Sequence, residues 1–195
     1  MNNCIFSAHC TESFCDESCP AFVETSYLLE RNDLNLHNAA FHQSDSCIQS
    51  ILDMLSKFSG KLHVIQSENT VTTADNITYC AICKNWQGSR LHCNVYNLKY
   101  SNYIDWIKKS WSTKQESTEL EYIKIWAASA KILIVSNLDY VSFNDFESQT
   151  LLNLIQCRSN SNQTTIIVTP KISMLVGKGL FFVRLQKILA EAVNG

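Results

Sequence analysis

The stretch AKILIVSNLD, residues 130–139, holds the most informative run in the sequence. Ile132 to Val135 is a continuous apolar run with three β-branched side chains, too short for a buried helix and of the right length for a strand covered on both faces. Downstream, Phe146 to Cys157 repeats Leu151, Leu154 and Ile155 at helical spacing, and Thr164 to Val168 is a second apolar strand stopped by Pro170. Leu180 to Val193 reads as a terminal helix. On the other side, Leu120, Ile123, Trp126 and Ala127 mark one helix, and Tyr100, Tyr103, Ile104, Ile107 and Trp111 mark another. Leu91 to Tyr96 reads as a strand, residues 76–87 as a helix and Lys61 to Gln66 as a strand. Strands and helices therefore alternate from residue 61 onward, which predicts an α/β fold: a parallel sheet flanked by helices.

Upstream, Cys47, Ile48, Ile51, Leu52, Leu55 and Phe58 recur at three and four, with Ser44 and Asp45 as caps and Gly60 as the stop. Residues 31–46 are polar and read as a linker, preceded by a short helix from Phe22 to Glu30. The expected organisation is a Cys-rich module over 1–30, a linker over 31–46 and an α/β domain over 47–195.

Of the 195 residues, 46% are hydrophobic and 17% charged, enough apolar content for a core, and the net charge of −2 excludes a uniformly basic nucleic-acid binder. No apolar run reaches the roughly 18 residues of a membrane span, and no basic-then-apolar leader opens the chain, so a cytoplasmic protein without membrane contact is expected. Glycine occurs only at Gly60, Gly88, Gly177, Gly179 and Gly195. Its absence between Lys61 and Gln87 excludes a functional phosphate-binding loop there, because such loops need glycine to bring backbone N–H groups against phosphate.

Four of the nine cysteines, Cys4, Cys10, Cys15 and Cys19, crowd the N-terminus. Four thiolates close a tetrahedral zinc site or hold a [4Fe–4S] cluster, and this segment has no apolar periodicity with which to fold alone. A metal module, zinc or iron–sulfur, is expected; a plain thiol-rich tail is the alternative, and His9 could replace one ligand. Cys80 and Cys83, followed by His92 and Cys93, resemble a zinc knuckle, but Cys80 and Cys83 fall on the apolar face of a helix and read as core.

Charge is unevenly distributed. Residues 1–83 carry three basic and ten acidic side chains, whereas 84–114 carry Lys84, Arg90, Lys99, Lys108, Lys109 and Lys114 against Asp105 alone. Trp86, Tyr96, Tyr100, Tyr103, Trp106 and Trp111 interleave with these cations, so Lys99, Lys108, Lys109 and Lys114 are candidate contacts for single-stranded DNA. An amphipathic helix with solvated lysines and buried aromatics explains the same pattern and is the favoured reading.

The order of these pieces resembles the phage and plasmid branch of the bacterial replicative helicase loaders, the DnaC/DnaI-type AAA+ ATPases. "CDESCPAFVETSYLLERNDL" (15–34) is similar to the cysteine-bearing start of that family, "KLHVIQSENT" (61–70) to the strand entering its Walker A loop, and "AKILIVSNLD" to its Walker B strand. "SQTLLNLIQCRSNSNQTTIIVTP" (148–170) is similar to the next helix, its terminal arginine and the sensor strand, and "LVGKGLFFVRL" (175–185) to the arginine-finger segment.

The departures carry the functional expectation. In place of a Gly-rich loop ending in Lys-Thr stand Asn69, Thr70, Val71, Thr72, Thr73, Ala74 and Asp75, with Ala74 where the phosphate-binding lysine belongs and Asp75 where the Mg²⁺-binding hydroxyl belongs. Ser136 and Asn137 replace the Walker B acids, and Asp139 lies two residues later. Thr169 and Pro170 take the sensor position. Phosphoryl transfer depends on cations and Mg²⁺ ligands, so the resemblance implies a pseudo-ATPase with no nucleotide. Val71, Thr72 and Ala74 are expected to fill the pocket. Gly179 falls where a family arginine is expected; Arg184 reads as a solvated helix residue and Arg158 as a helix-end charge. The implied role is a helicase-loader-like adaptor that binds a replicative helicase or an active loader through residues 4–30. The alternatives are an inhibitor of host helicase loading and a metal- or redox-responsive regulator.

Overall fold

A computed structural model describes the backbone of residues 20–32, 34, 62–88 and 95–193, with side chains for 26–32, 34, 62–82 and 95–193. The helix expected over 47–58 and the cysteines at 4, 10, 15 and 19 lie outside the described residues. The elements are α1 (Pro20–Arg31), β1 (Leu62–Gln66), α2 (Thr70–Gly88), β2 (Val95–Lys99), α3 (Tyr100–Thr113), α4 (Thr118–Ser129), β3 (Ile132–Ser136), α5 (Asp145–Asn160), β4 (Thr164–Thr169) and α6 (Leu180–Val193). Short 3-10 turns occupy Leu138–Tyr140 and Ile172–Met174.

The four strands form one parallel sheet in the order β1-β4-β3-β2. Ile134 pairs with Ile166 and Leu98 with Val135, so the two most apolar runs lie side by side. Every residue of β4 is buried, as is β3 beyond Ile132, which is why neither strand shows apolar–polar alternation. Successive residues still face opposite ways. Leu133, Val135 and Ile167 pack with Tyr96, Leu98, Leu151 and Leu185 on one side. Ile134, Ile166 and Val168 pack with Ala74, Ile77, Cys80, Leu28 and Leu29 on the other. Cys80 is thus a core residue, as its helical face predicts.

Two element boundaries differ from the sequence expectation. α2 begins at Thr70, six residues before Asn76. The β-branched run Val71-Thr72-Thr73 argues against helix by propensity, but Asn69 caps it and the burial of Ala74 and Ile77 against the sheet outweighs a few tenths of a kcal/mol per residue. β2 spans Val95–Lys99 rather than 91–96. Asn97 interrupts the apolar pattern in the sequence, yet inside the sheet both its backbone and its side chain are paired, so it carries no penalty there.

The two outer strands differ in how their edges are treated. Beyond β2, the end of α1 closes the edge. The Asn32 Oδ1 accepts the Asn97 N–H at 2.6 Å, and the Arg31 guanidinium donates to the Val95 carbonyl at 2.8 Å. Arg31 also sits over the rings of Tyr96 and Trp126. β1 is only half-buried along Leu62 to Ile65.

Candidate functional site

The sheet order places the topological switch point, where such folds form their ligand crevice, at the carboxyl ends of β1 and β4. The chain leaves β1 through α2 on one face and returns through α3, α4 and α5 on the other, so the connections diverge between β1 and β4. Parallel α/β sheets bind ligands outside strand carboxyl ends at such a point.

In this chain the switch point is bridged tightly. Only Ser67, Glu68 and Asn69 separate β1 from α2. The Ser67 N–H donates to the Thr169 carbonyl at 2.9 Å, extending the β1–β4 pairing past the strand end. The Ser67 hydroxyl shares a 2.8 Å bond with the Thr73 hydroxyl and accepts the Asn69 N–H at 3.2 Å. The Asn69 side chain accepts the Thr72 N–H at 3.3 Å, and the Asn69 carbonyl accepts the Thr73 N–H at 3.0 Å. The N–H groups of Ser67, Asn69, Thr72 and Thr73, donors of the kind a phosphate-binding loop turns toward an anion, are therefore bonded within the chain. The Thr70 hydroxyl points to the Asp139 carboxylate at 3.5 Å, which sets a negative charge near the α2 N-terminus. No Lys or Arg occurs from Leu62 to Cys83, and Lys84 lies about 15 Å along the helix from Ala74.

The sequence-predicted residues fall into separate places. Asn69 is the cap of α2, and Thr70 to Asp75 are its first turns rather than a loop. Ala74 is completely buried and Thr70 nearly so, whereas Val71 is half-buried and Thr72 is exposed. Ala74 therefore sits in the core against the sheet, and Thr72 fills nothing, because its position on the helix faces outward.

Asp75 and Ser136 meet through a residue that the sequence reading did not single out. The Asn97 side chain donates to Asp75 Oδ1 at 3.0 Å and accepts from the Ser136 hydroxyl at 3.3 Å. With Asn32 on the Asn97 N–H, this is a buried polar chain joining α1, α2, β2 and β3. Ser136 is 1% exposed and lies on the α2 face of β3. The clue was available: an asparagine inside an apolar strand needs partners. Asn137 takes the left-handed conformation at φ 61°, which asparagine tolerates, and it turns the chain into the 3-10 segment that carries Asp139.

The lysine-rich stretch is mostly a packed helix. Tyr100 and Ile104 are buried, and the Tyr100 hydroxyl donates to the Glu147 carbonyl at 2.5 Å; burial raises the Tyr100 pKa well above its ordinary value. Lys108 pairs with the buried Glu147 carboxylate at 2.7 Å. Lys109 lies over the Trp106 ring, 4.9 Å from its centre, and Lys114 is the left-handed cap of α3. Trp111 packs edge-on against Phe146. Lys99 is half-buried at the end of β2. Where α3 turns into α4, Trp106, Lys109 and Thr113 face Glu116 and Glu119 across a groove of about 470 Å³, so acids interrupt any phosphate track.

Arg158 stands in the last turn of α5, as a helix-end charge should, but it is buried. It is 1% exposed and donates to the Thr165 hydroxyl, the Thr164 and Ala127 carbonyls and the Gln163 side chain, at 2.6 to 3.3 Å. These acceptors lie at the amino ends of the strands, opposite the switch point, and burial pulls the guanidinium down to about 10. Arg184 is exposed on α6. Gly179 has φ +99°, and a Cβ there would meet the Asp145 carboxylate, so an arginine would be strained at this position. Among the described residues, no three His, Cys, Asp or Glu side chains are grouped to hold a metal ion, and no helix is long and apolar enough to cross a membrane.

Comparison with known proteins finds the fold and little else. No family model matches the chain, and no curated protein does. Among solved structures it is similar to one described as a DNA replication initiation factor, with a TM-score of 0.53 and 11% identity. The likeness covers 75% of this chain but 42% of that one, so the chain spans about two-fifths of the neighbour's length.

Proposed function

We propose that this chain is a catalytically inactive, helicase-loader-like adaptor in DNA replication, which binds a replicative helicase or an active loader. The observation that carries the reading is the three-residue link Ser67–Asn69, which joins β1 to α2 where a nucleotide loop would stand and whose Ser67 and Asn69 N–H groups bond within the chain. The likeness to a replication initiation factor supports the setting, since it extends over three-quarters of the chain. In this reading the α/β core is a scaffold that presents surfaces to protein partners, and Lys109 and Lys114 supply any contact to single-stranded DNA. The metal, zinc or iron–sulfur, would belong to Cys4, Cys10, Cys15 and Cys19.

Two measurements on the full chain test it. Calorimetric titration with Mg·ATP should give no heat of binding and no turnover, and Ala74→Lys should not restore either, because that side chain enters the core. Gel filtration with a hexameric bacterial helicase, alone or with its loader, should give a co-eluting complex. Tight Mg·ATP binding by the native chain overturns the inactive reading; failure to join either partner overturns the adaptor reading.

A further inference from the structure

The surface around the start of α6 is apolar where nothing in the fold explains it. Met174, Val176, Leu180 and Val183 are 63%, 70%, 79% and 62% exposed and fall within ten residues of chain. Scattered exposed apolar residues are ordinary; four together are not. α6 already has a buried face, Phe182, Leu185 and Leu189, so Leu180 and Val183, one turn apart, make a second apolar stripe pointing the other way.

This surface is held rigid. The Phe143 N–H donates to the Val176 carbonyl and the Lys178 N–H to the Phe143 carbonyl, both at 2.9 Å, which fixes the strap ahead of α6. Leu175 is buried beneath it. Gly177 lies so close to the Phe182 ring that any Cβ would collide with it. A preformed apolar surface loses little conformational freedom when it is covered.

The charges around it have one dominant sign. Lys171, Lys178, Arg184 and Lys187 lie in or beside the patch, and no Asp or Glu occurs between Glu147 and Glu191. Lys171, Lys178 and Arg184 make no ion pair among the described residues. Among the described residues Asp145 lies against Gly179, and Lys187 is paired with Glu191 at 4.0 Å. From this we infer that the surface formed by Met174, Val176, Leu180 and Val183, with Lys178 and Arg184 at its rim, docks an acidic amphipathic helix of a partner protein. The apolar stripe takes the helix's apolar face and the cations take its flanking carboxylates. The inference stands on these residues alone and does not depend on the adaptor reading.

The test uses the full chain and a fluorescein-labelled synthetic helix of about sixteen residues, roughly four turns, with leucines at i, i+3, i+4 and i+7 and glutamates beside them. Anisotropy should show saturable binding that weakens with added salt, and a lysine-for-glutamate version of the peptide should bind at least about tenfold more weakly. Leu180→Ser with Val183→Ser should abolish binding while leaving the unfolding midpoint in place, since both side chains are exposed. Lys178→Glu with Arg184→Glu should reverse the preference between the two peptides. Equal binding of both peptides, or undiminished binding by the serine variant, overturns the inference. So does a native chain that sediments as a dimer and becomes monomeric with the same serine substitutions, because the occupant is then a second copy.

Discussion

At the scale of single residues, the fold spends its polar side chains on holding itself together. Arg158 is the clearest case. Its guanidinium is buried with no carboxylate partner among the described residues and is satisfied by carbonyls and neutral side chains from α4, the α5–β4 turn and β4. Desolvating that charge is unfavourable, and the matching set of acceptors offsets it. Arg158→Ala removes the donor and leaves the Ala127 and Thr164 carbonyls without this partner, so a loss of about 1–3 kcal/mol is expected in urea unfolding. Arg158→Lys should recover only part of it, since an ammonium cannot reach acceptors spread along a planar fork. A variant as stable as the native chain would mean that these bonds contribute nothing net.

At the scale of elements, α3 and α5 are locked together at one buried carboxylate. Asn144 and Glu147 form a reciprocal cap at the start of α5, and Lys108 reaches across from α3. Burial alone would raise the Glu147 pKa, but the bond from Lys108 and the N–H groups of Glu147 and Asn144 outweigh it and hold the carboxyl below its ordinary value. The unfolded chain therefore takes up this proton at a higher pH than the folded chain does. The stabilisation is complete above the ordinary carboxylate value of about 4.3 and drains away as pH falls through the lowered folded value. Glu147→Gln should cost about 1–3 kcal/mol at neutral pH and flatten the acid limb of a stability-versus-pH curve measured by urea unfolding. An unchanged acid limb would show that Glu147 does not carry it. Lys108→Gln should act in the same direction, which separates Lys108 from Lys109 and Lys114 as a DNA contact.

At the scale of the whole molecule, the sheet depends on α1. Asn32 and Arg31 satisfy the outer edge of β2, while Leu28 and Leu29 complete the core on the α2 side. Open edges template association with other chains, so this cap governs solubility as well as stability. Asn32→Ala leaves the buried Asn97 N–H without its acceptor and should lower stability by about 2–3 kcal/mol, with light scattering appearing earlier in a thermal ramp. Scattering identical to the native chain would remove α1 from the role of edge cap.

Much of this was readable in the sequence because hydrophobic burial leaves a local imprint. The runs Ile132–Val135 and Thr164–Val168 are apolar at consecutive positions, and only a strand covered on both faces explains that at such length. The missing glycines and the missing lysine around Ala74 were equally plain, since composition needs no coordinates. The beginning of α2 was not legible, because the tertiary burial of Ala74 and Ile77 overrides the weak propensities of Val71, Thr72 and Thr73. Nor was the chain Asn32–Asn97–Asp75–Ser136, whose members stand as far as about a hundred positions apart and meet only once the sheet is assembled. The charge of Arg158 was visible in the sequence, but its burial was not, because the carbonyls that accept from it belong to backbone folded around it. The α/β class and the absence of glycine between Lys61 and Gln87 follow from side-chain type along the chain. That three residues join β1 to α2, that Ser136 lies beneath a helix, and that Leu180 and Val183 of α6 stand exposed emerge only in three dimensions, because each depends on which distant groups are brought within reach.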